Sequence, residues 1–151
     1  MEKHLLEVKN LSISFTQYER GTRQTSLQVI RGLDVTVDPG ELVAVIGSSG
    51  SGKSLLAHAV MGILPYNASA SGEILYRGEV LTPRRQKELR GKEIVLVPQS
   101  VSYLDPLMKV GEQVRNGRRG EAIREKCRRI LGSYGLGPET ENLYPFQLSG
   151  G

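Results

Sequence analysis

The chain has 151 residues, of which 38% are hydrophobic and 24% charged, with a net charge of +4 and a pI near 9.3. That make-up is of one ordered globular domain, and no apolar stretch approaches the roughly 18 residues of a membrane span, because the longest, residues 55–64, is interrupted by His58 and ends at Pro65. Lys and Arg are scattered among acidic residues without aromatic interleaving, so the basic balance predicts a solvated surface and no nucleic-acid partner.

Met1-Glu2-Lys3-His4 leads into a strand pattern and not a signal-peptide core, and the single Cys127 allows no internal disulfide. Both features predict a cytoplasmic location. Leu6 and Val8 then alternate on one parity and Leu11, Ile13 and Phe15 on the other, so a bulge is expected near Lys9-Asn10. A polar, hairpin-like excursion occupies residues 16–26. Leu33, Val35 and Val37 alternate up to Asp38-Pro39-Gly40-Glu41, a tight turn in which Pro presets φ and Gly accepts a positive one.

The continuous apolar run Leu42-Val43-Ala44-Val45-Ile46 reads as a buried strand, and it runs into Gly47-Ser48-Ser49-Gly50-Ser51-Gly52-Lys53-Ser54. Glycines at these positions let the backbone wrap around a phosphate chain with its N–H groups pointing inward, at the positive end of the following helix. Lys53 neutralises the outer phosphates, and the Ser54 hydroxyl holds one position on Mg²⁺. This is a complete Walker A loop, and it predicts binding of a nucleoside triphosphate.

Leu55, Leu56, Ala59, Val60 and Ile63 recur at helical spacing, with the stop expected at Pro65. Residues 72–76 are expected to form a short strand. A second buried run, Ile94-Val95-Leu96-Val97, ends at Pro98-Gln99, and the two apolar runs are expected side by side in a parallel sheet. A subdomain change is placed near Ser100, after which the periodicity turns helical. Ile123, Cys127, Ile130 and Leu131 make one apolar stripe, which reads Cys127 as a core thiol, and Glu125 precedes Arg128 and Arg129 at pairing distance. A turn-rich loop, residues 135–145, leads to Leu148-Ser149-Gly150-Gly151.

A Walker A loop, a glutamine at the end of a buried strand, a helical insert and an LSGG tetrad, in that order, resemble the nucleotide-binding subunit of an ABC transporter. The phrase from Val97-Pro98-Gln99 through Tyr103-Leu104-Asp105-Pro106 to Gly111-Glu112-Gln113 resembles the ATPase subunits of bacterial peptide, nickel and metallophore importers. The fold that the resemblance implies is α/β: the N-terminal part of a P-loop nucleotide-binding domain, with an antiparallel β subdomain, an incomplete parallel sheet and a helical subdomain. Residues 1–100 would hold the β subdomain and Walker A core, and residues 101–151 the helical subdomain up to the signature.

Residue by residue, the resemblance places Gly47, Ser48, Ser49, Gly50, Ser51, Gly52, Lys53 and Ser54 on ATP, with Lys53 and Gln99 catalytic and Ser54 and Gln99 at Mg²⁺. Gln99 has a second reading as a structural strand-end amide. Ser149, Gly150 and Gly151, with Leu148, would meet the γ-phosphate held by a second ATP-binding subunit. Phe15 matches the aromatic that stacks on adenine, with Tyr18 as competitor and a plain core strand residue as the other reading of Phe15. The implied partners are the permease and the second ATP-binding subunit, which makes the chain peripheral on the inner face of the membrane.

The family's Walker B aspartate, catalytic glutamate, D-loop and switch histidine follow the signature, and neither His4 nor His58 is a substitute for the last. The expectation is therefore an importer ATPase subunit read from a truncated, split or excised frame, inactive in hydrolysis by itself and with apolar strands left unpaired at their edges. A nucleotide-binding chain without turnover, and a non-transport ABC ATPase, remain as alternatives.

Overall fold

The computed structural model describes residues 4–18, 24–98 and 103–148. They fall into two compact units, Met1–Leu96 and Val97–Gly151.

The first unit is built on a four-stranded antiparallel sheet in the order β2-β1-β3-β4, formed by β1 (Leu6–Tyr18), β2 (Gln24–Val37), β3 (Ala68–Tyr76) and β4 (Glu79–Val80). Val8, Leu11 and Ile13 are almost completely buried. Their spacing of three and then two can share one face only if an extra residue is inserted between Val8 and Leu11. The ladder does shift there: β1 changes register against β2 between Val8 and Leu11, and against β3 between Lys9 and Ser12. Asn10 takes the left-handed conformation at φ 50°, and its amide donates to Asp34 Oδ1 at 2.8 Å.

The polar hairpin is present, with Thr16 opposite Ser26 and Tyr18 opposite Gln24. β2 ends at the turn in which Gly40 has φ 77° and the Glu41 amide donates to the Asp38 carbonyl at 3.1 Å. The third strand reaches back to Ala68, four residues before the expected start at Gly72.

Helix α1 (Lys53–Met61) lays Ala59 against Val8, Leu11, Ile13 and Ile30, with Leu33, Val35, Leu55 and Leu56 around them. Each fully buried aliphatic side chain there contributes about 1.5–3 kcal/mol relative to exposure. The helix stops before the expected Pro65. Gly62 turns left-handed at φ 66°, its amide donates to Ala59 O at 3.1 Å, and the Ile63 amide donates to His58 O at 2.9 Å. This pair of bonds is the Schellman arrangement that a left-handed glycine permits. Helix α2 (Pro83–Leu89) is capped by Thr82, whose hydroxyl accepts from the Arg85 amide at 3.3 Å. Its Gln86 side chain donates through Nε2 to Ala59 O at 2.9 Å, and Arg90, just beyond the helix, donates to Met61 O at 2.8 Å. Arg90 thereby satisfies a free carbonyl at the end of α1, and Gln86 adds a second bond to the Ala59 oxygen that already accepts from Gly62.

The two apolar runs differ from expectation. Residues 42–46 lie outside every described strand, with Leu42 97% and Ile46 93% exposed. Residues 94–97 form only a single parallel bridge, Arg90 to Ile94, and Val97 is 86% exposed. The reading of both as buried, adjacent parallel strands is corrected on these grounds. Such strands are buried only when neighbours pair both edges and helices cover both faces, and among the described residues neither run has a ladder partner.

The second unit holds α3 (Val110–Arg115), α4 (Glu121–Ser133) and two 3₁₀ turns, Pro138–Asn142 and Pro145–Gln147. Val110, Cys127 and Leu131 form its core with Leu148 against them. Cys127 is indeed a core thiol, although Ile130 of the same stripe faces solvent. Arg128 pairs with Glu141 at 2.9 Å in place of Glu125.

Candidate functional site

The glycine loop supplies the geometry. Gly50 and Gly52 have φ 79° and 90°, a left-handed region that a side chain resists, and the Ser51 amide closes the turn on Ser48 O at 3.2 Å. Gly52 also lies hard against β2, since a Cβ there would stand 2.9 Å from Ile30 Cγ1 and 3.2 Å from Val29 Cγ1. Val29 and Ile30 therefore form the seat of the loop. Their signal in the sequence is the adjacency of two apolar residues, Val29 and Ile30, where an alternating strand would place a polar one.

Lys53 opens α1 and folds back over the loop. Its ammonium donates to Gly47 O at 2.7 Å, Ser48 O at 2.6 Å and Ser51 Oγ at 3.3 Å. Gly47 is the position that leaves room for this, because a Cβ would sit 2.7 Å from Ser51 Oγ. The first intrahelical bond after the loop is Leu56 N to Gly52 O at 3.1 Å, so the amides of Lys53, Ser54 and Leu55 belong to the open first turn. Gly52 provides no side-chain cap, and the turn carries no acidic residue.

These features fit a phosphate chain. The uncapped amides and the helix dipole favour negative charge, the ammonium adds a mobile point charge, and no carboxylate of the first turn competes with either. Ser54 is exposed at the same turn, where its hydroxyl is available to a metal ion. A hollow of about 290 Å³ beside the loop is lined by Val29, Ile30, Arg31, Val45, Lys53 and Leu56, among others.

The other assigned residues stand apart from this cluster or outside the description. Phe15 is half-buried on β1, between Leu27 and Ala68 in the ladders, and packs against the core cluster of Val8, Leu11 and Ile13. Tyr18 is paired through its backbone with Gln24, and its side chain lies outside the described residues. Gln99, Ser149, Gly150 and Gly151 also lie outside them, while Leu148 ends the described chain packed on the second core. Within the importer-like phrase, Gln113 is the organising residue. Its Oε1 accepts from the Asp105 amide at 2.9 Å, and its Nε2 donates to Asp105 O at 2.9 Å and Met108 O at 2.8 Å. One amide thus closes the loop between Asp105 and α3.

No helix among the described residues is long and apolar enough to cross a membrane. The profile of the ABC transporter family matches residues 30–151. The chain is 38% identical over 161 residues to the oligopeptide transport ATP-binding protein OppD of Bacillus subtilis, covering 97% of this chain and 44% of that protein. It is 36% identical over 165 residues to the dipeptide transport ATP-binding protein DppD of the same organism, covering 100% and 48%. It is also 34% identical over 170 residues to the glutathione import ATP-binding protein GsiA of Pectobacterium atrosepticum, covering 99% and 26%. The chain therefore spans less than half the length of these curated relatives. Among solved structures it is similar to a bacterial Atm1-family ABC exporter with ATP bound, at a TM-score of 0.52 and 22% identity over 99% of this chain and 26% of that one, a likeness of fold. With the family profile running from β2 through the glycine loop to the last residue, this chain belongs to the ABC transporter family as part of an ATP-binding domain.

Proposed function

We propose that these residues are the nucleotide-gripping part of an ATP-binding subunit that drives peptide uptake. The observation that carries the reading is the Lys53 ammonium, held within 2.7 Å of the Gly47 and Ser48 carbonyls at the uncapped start of α1. Walker A chemistry follows from it. The amides of residues 47–54 receive the phosphate oxygens, and Lys53 exchanges neutral carbonyl acceptors for charged phosphate oxygens, which adds opposite-charge attraction to bonds that the ammonium already makes charge-assisted. Mg²⁺, when bound, screens the phosphate charge; Ser54 and Gln99 are the residues that would hold it.

Gln99 is the proposed sensor between nucleotide and permease. Ser149, Gly150 and Gly151 are proposed to face the ATP of a second such subunit, and Phe15 or Tyr18 to stack on adenine. Residues 1–100 and 101–151 are the corresponding β and helical subdomains. The permease contact places the assembly on the inner face of the membrane. Peptide is favoured over nickel or a metal chelate as cargo because the relatives are named for oligopeptide, dipeptide and glutathione transport.

The groups assigned here supply positive charge, a metal ligand and orientation, but no general base to take a proton from attacking water. The 151 residues are therefore proposed to bind ATP without turning it over. Calorimetry with Mg-ATP on the chain and on Lys53→Ala tests the reading: saturable binding lost in the variant supports it, and equal affinity in both overturns it.

A further inference from the structure

Residues 109–129 carry eight Lys or Arg side chains against three Glu, a local net charge of +5 in a chain whose whole balance is +4. These cations are not equivalent. Arg115 and Arg128 share Glu141, at 3.2 Å and 2.9 Å, and Arg128 also lies 3.8 Å from Glu121. Arg118, Arg119 and Arg124 have no carboxylate within ion-pair distance among the described residues. All three line one hollow of about 400 Å³, together with Arg115, Glu112 and Met108. The hollow lies wholly within the unit Val97–Gly151, whereas the glycine loop belongs to the other unit.

Three guanidinium groups without a carboxylate partner, beside Arg115, which is paired with Glu141, line one concavity in which Glu112 is the carboxylate, and a concave surface with an excess of one sign focuses the field. The volume falls in the range of small-ligand sites, about 300–1,000 Å³. Arginine also dictates the geometry of what fits. Its planar fork donates two parallel hydrogen bonds, which match the oxygens of a phosphate better than they match a single carbonyl or halide. Glu112 leaves part of the lining able to accept from a ligand hydroxyl.

We propose that Arg118, Arg119 and Arg124 form a second anion site, separate from the ATP loop, that takes a phosphate-bearing ligand in the hollow between α3 and α4. The phosphate could belong to a soluble phosphate ester or to an anionic lipid headgroup, and both present the same doubly oxygenated face to the forks.

The test uses the ¹⁵N-labelled chain titrated with pyrophosphate and, separately, mixed with phosphatidylglycerol-containing or pure phosphatidylcholine vesicles. Expected are saturable amide shifts at Gly117, Arg118, Arg119, Gly120 and Arg124, resolved from any shifts at residues 47–54. The substitution R118Q/R119Q/R124Q should weaken the first set at least tenfold and leave the second unchanged. R118K/R119K/R124K, which keeps charge but loses the fork, should fall between the two and serves as the decisive variant if the glutamine form is unstable. Sedimentation with phosphatidylglycerol vesicles that depends on the three arginines assigns the phosphate to lipid. Pyrophosphate binding without such sedimentation assigns it to a soluble ester. No saturable shift at residues 117–124 and no arginine-dependent sedimentation, or binding that survives both triple substitutions, overturns the site.

Discussion

The Lys53 ammonium lies 2.7 Å from the carbonyl oxygen of Gly47, so the one charged side chain of the loop is anchored by the loop's own backbone. That anchoring positions the charge at the helix start, and it carries no cost of burying an unpaired cation, because three acceptors surround it. Lys53→Ala should therefore leave the fold intact while weakening Mg-ATP binding by at least about tenfold, or about 1.4 kcal/mol. Calorimetry reads the affinity and circular dichroism the fold; unchanged affinity in a folded variant would remove Lys53 from the site.

Gly72 sets the register of the sheet. It has φ 103°, and a Cβ there would stand 2.5 Å from Asn10 O and 2.7 Å from Lys9 O. Both neighbours are backbone at the bulge, so neither can swing away. Gly72→Ala is expected to destabilise the first unit by about 2–4 kcal/mol, from the strained φ and the overpacked contact together. A denaturant midpoint equal to that of the parent would show that the bulge adapts.

Glu141 joins two arginines in the second unit. Its side chain is 10% exposed and pairs with Arg115 and Arg128, and Glu141 is the first cause of the raised Arg128 pKa. Glu141→Gln leaves Arg115 without its carboxylate and Arg128 with only the longer contact to Glu121, at 3.8 Å. The second unit should lose stability, by less than breaking a fully buried pair would cost, because Arg128 is 40% exposed and screened by solvent. Faster hydrogen exchange confined to α3 and α4 would report it, and unchanged exchange would count against the triad.

His4 couples the start of the sheet to pH. Its ring nitrogen lies 2.5 Å from Asp38 Oδ1, and this hydrogen bond is the main cause that raises its pKa above 6.5, outweighing the opposing desolvation. A raised folded-state pKa means that the protonated form favours folding. The contribution is present in full below 6.5 and is lost as pH climbs through the raised folded value. An NMR titration should place the His4 midpoint above 6.5 and return it toward the ordinary value in Asp38→Asn; the same midpoint in both would remove Asp38 as the cause.

Local patterns were the legible part of this chain. The spacing of Val8, Leu11 and Ile13 called for the bulge at Lys9-Asn10, because alternation has a period of two and one inserted residue is the simplest way to keep all three on a single face. The turn at Gly40 and the core position of Cys127 were likewise local consequences of backbone freedom and helical period. Helix α2 was overlooked although Thr82-Pro83, a cap followed by proline in the first turn, announced it. The stop of α1 was misplaced because Gly62 ends the helix before Pro65 can.

For the site, the proposed phosphate loop rests on the order of glycines, lysine and serine, since that chemistry would be carried by consecutive backbone groups. Tertiary structure decided what lies under the loop and what becomes of the apolar runs beside it. Gly52 meets Val29 and Ile30 only because β2 passes there, and Gln86 and Arg90 reach the end of α1 only because α2 folds back onto it. Residues 42–46 and 94–97 were apolar enough to be buried, yet hydrophobicity states a preference and not a partner. Burial depends on which segments pair their edges, a property of the folded arrangement that no run of five residues contains.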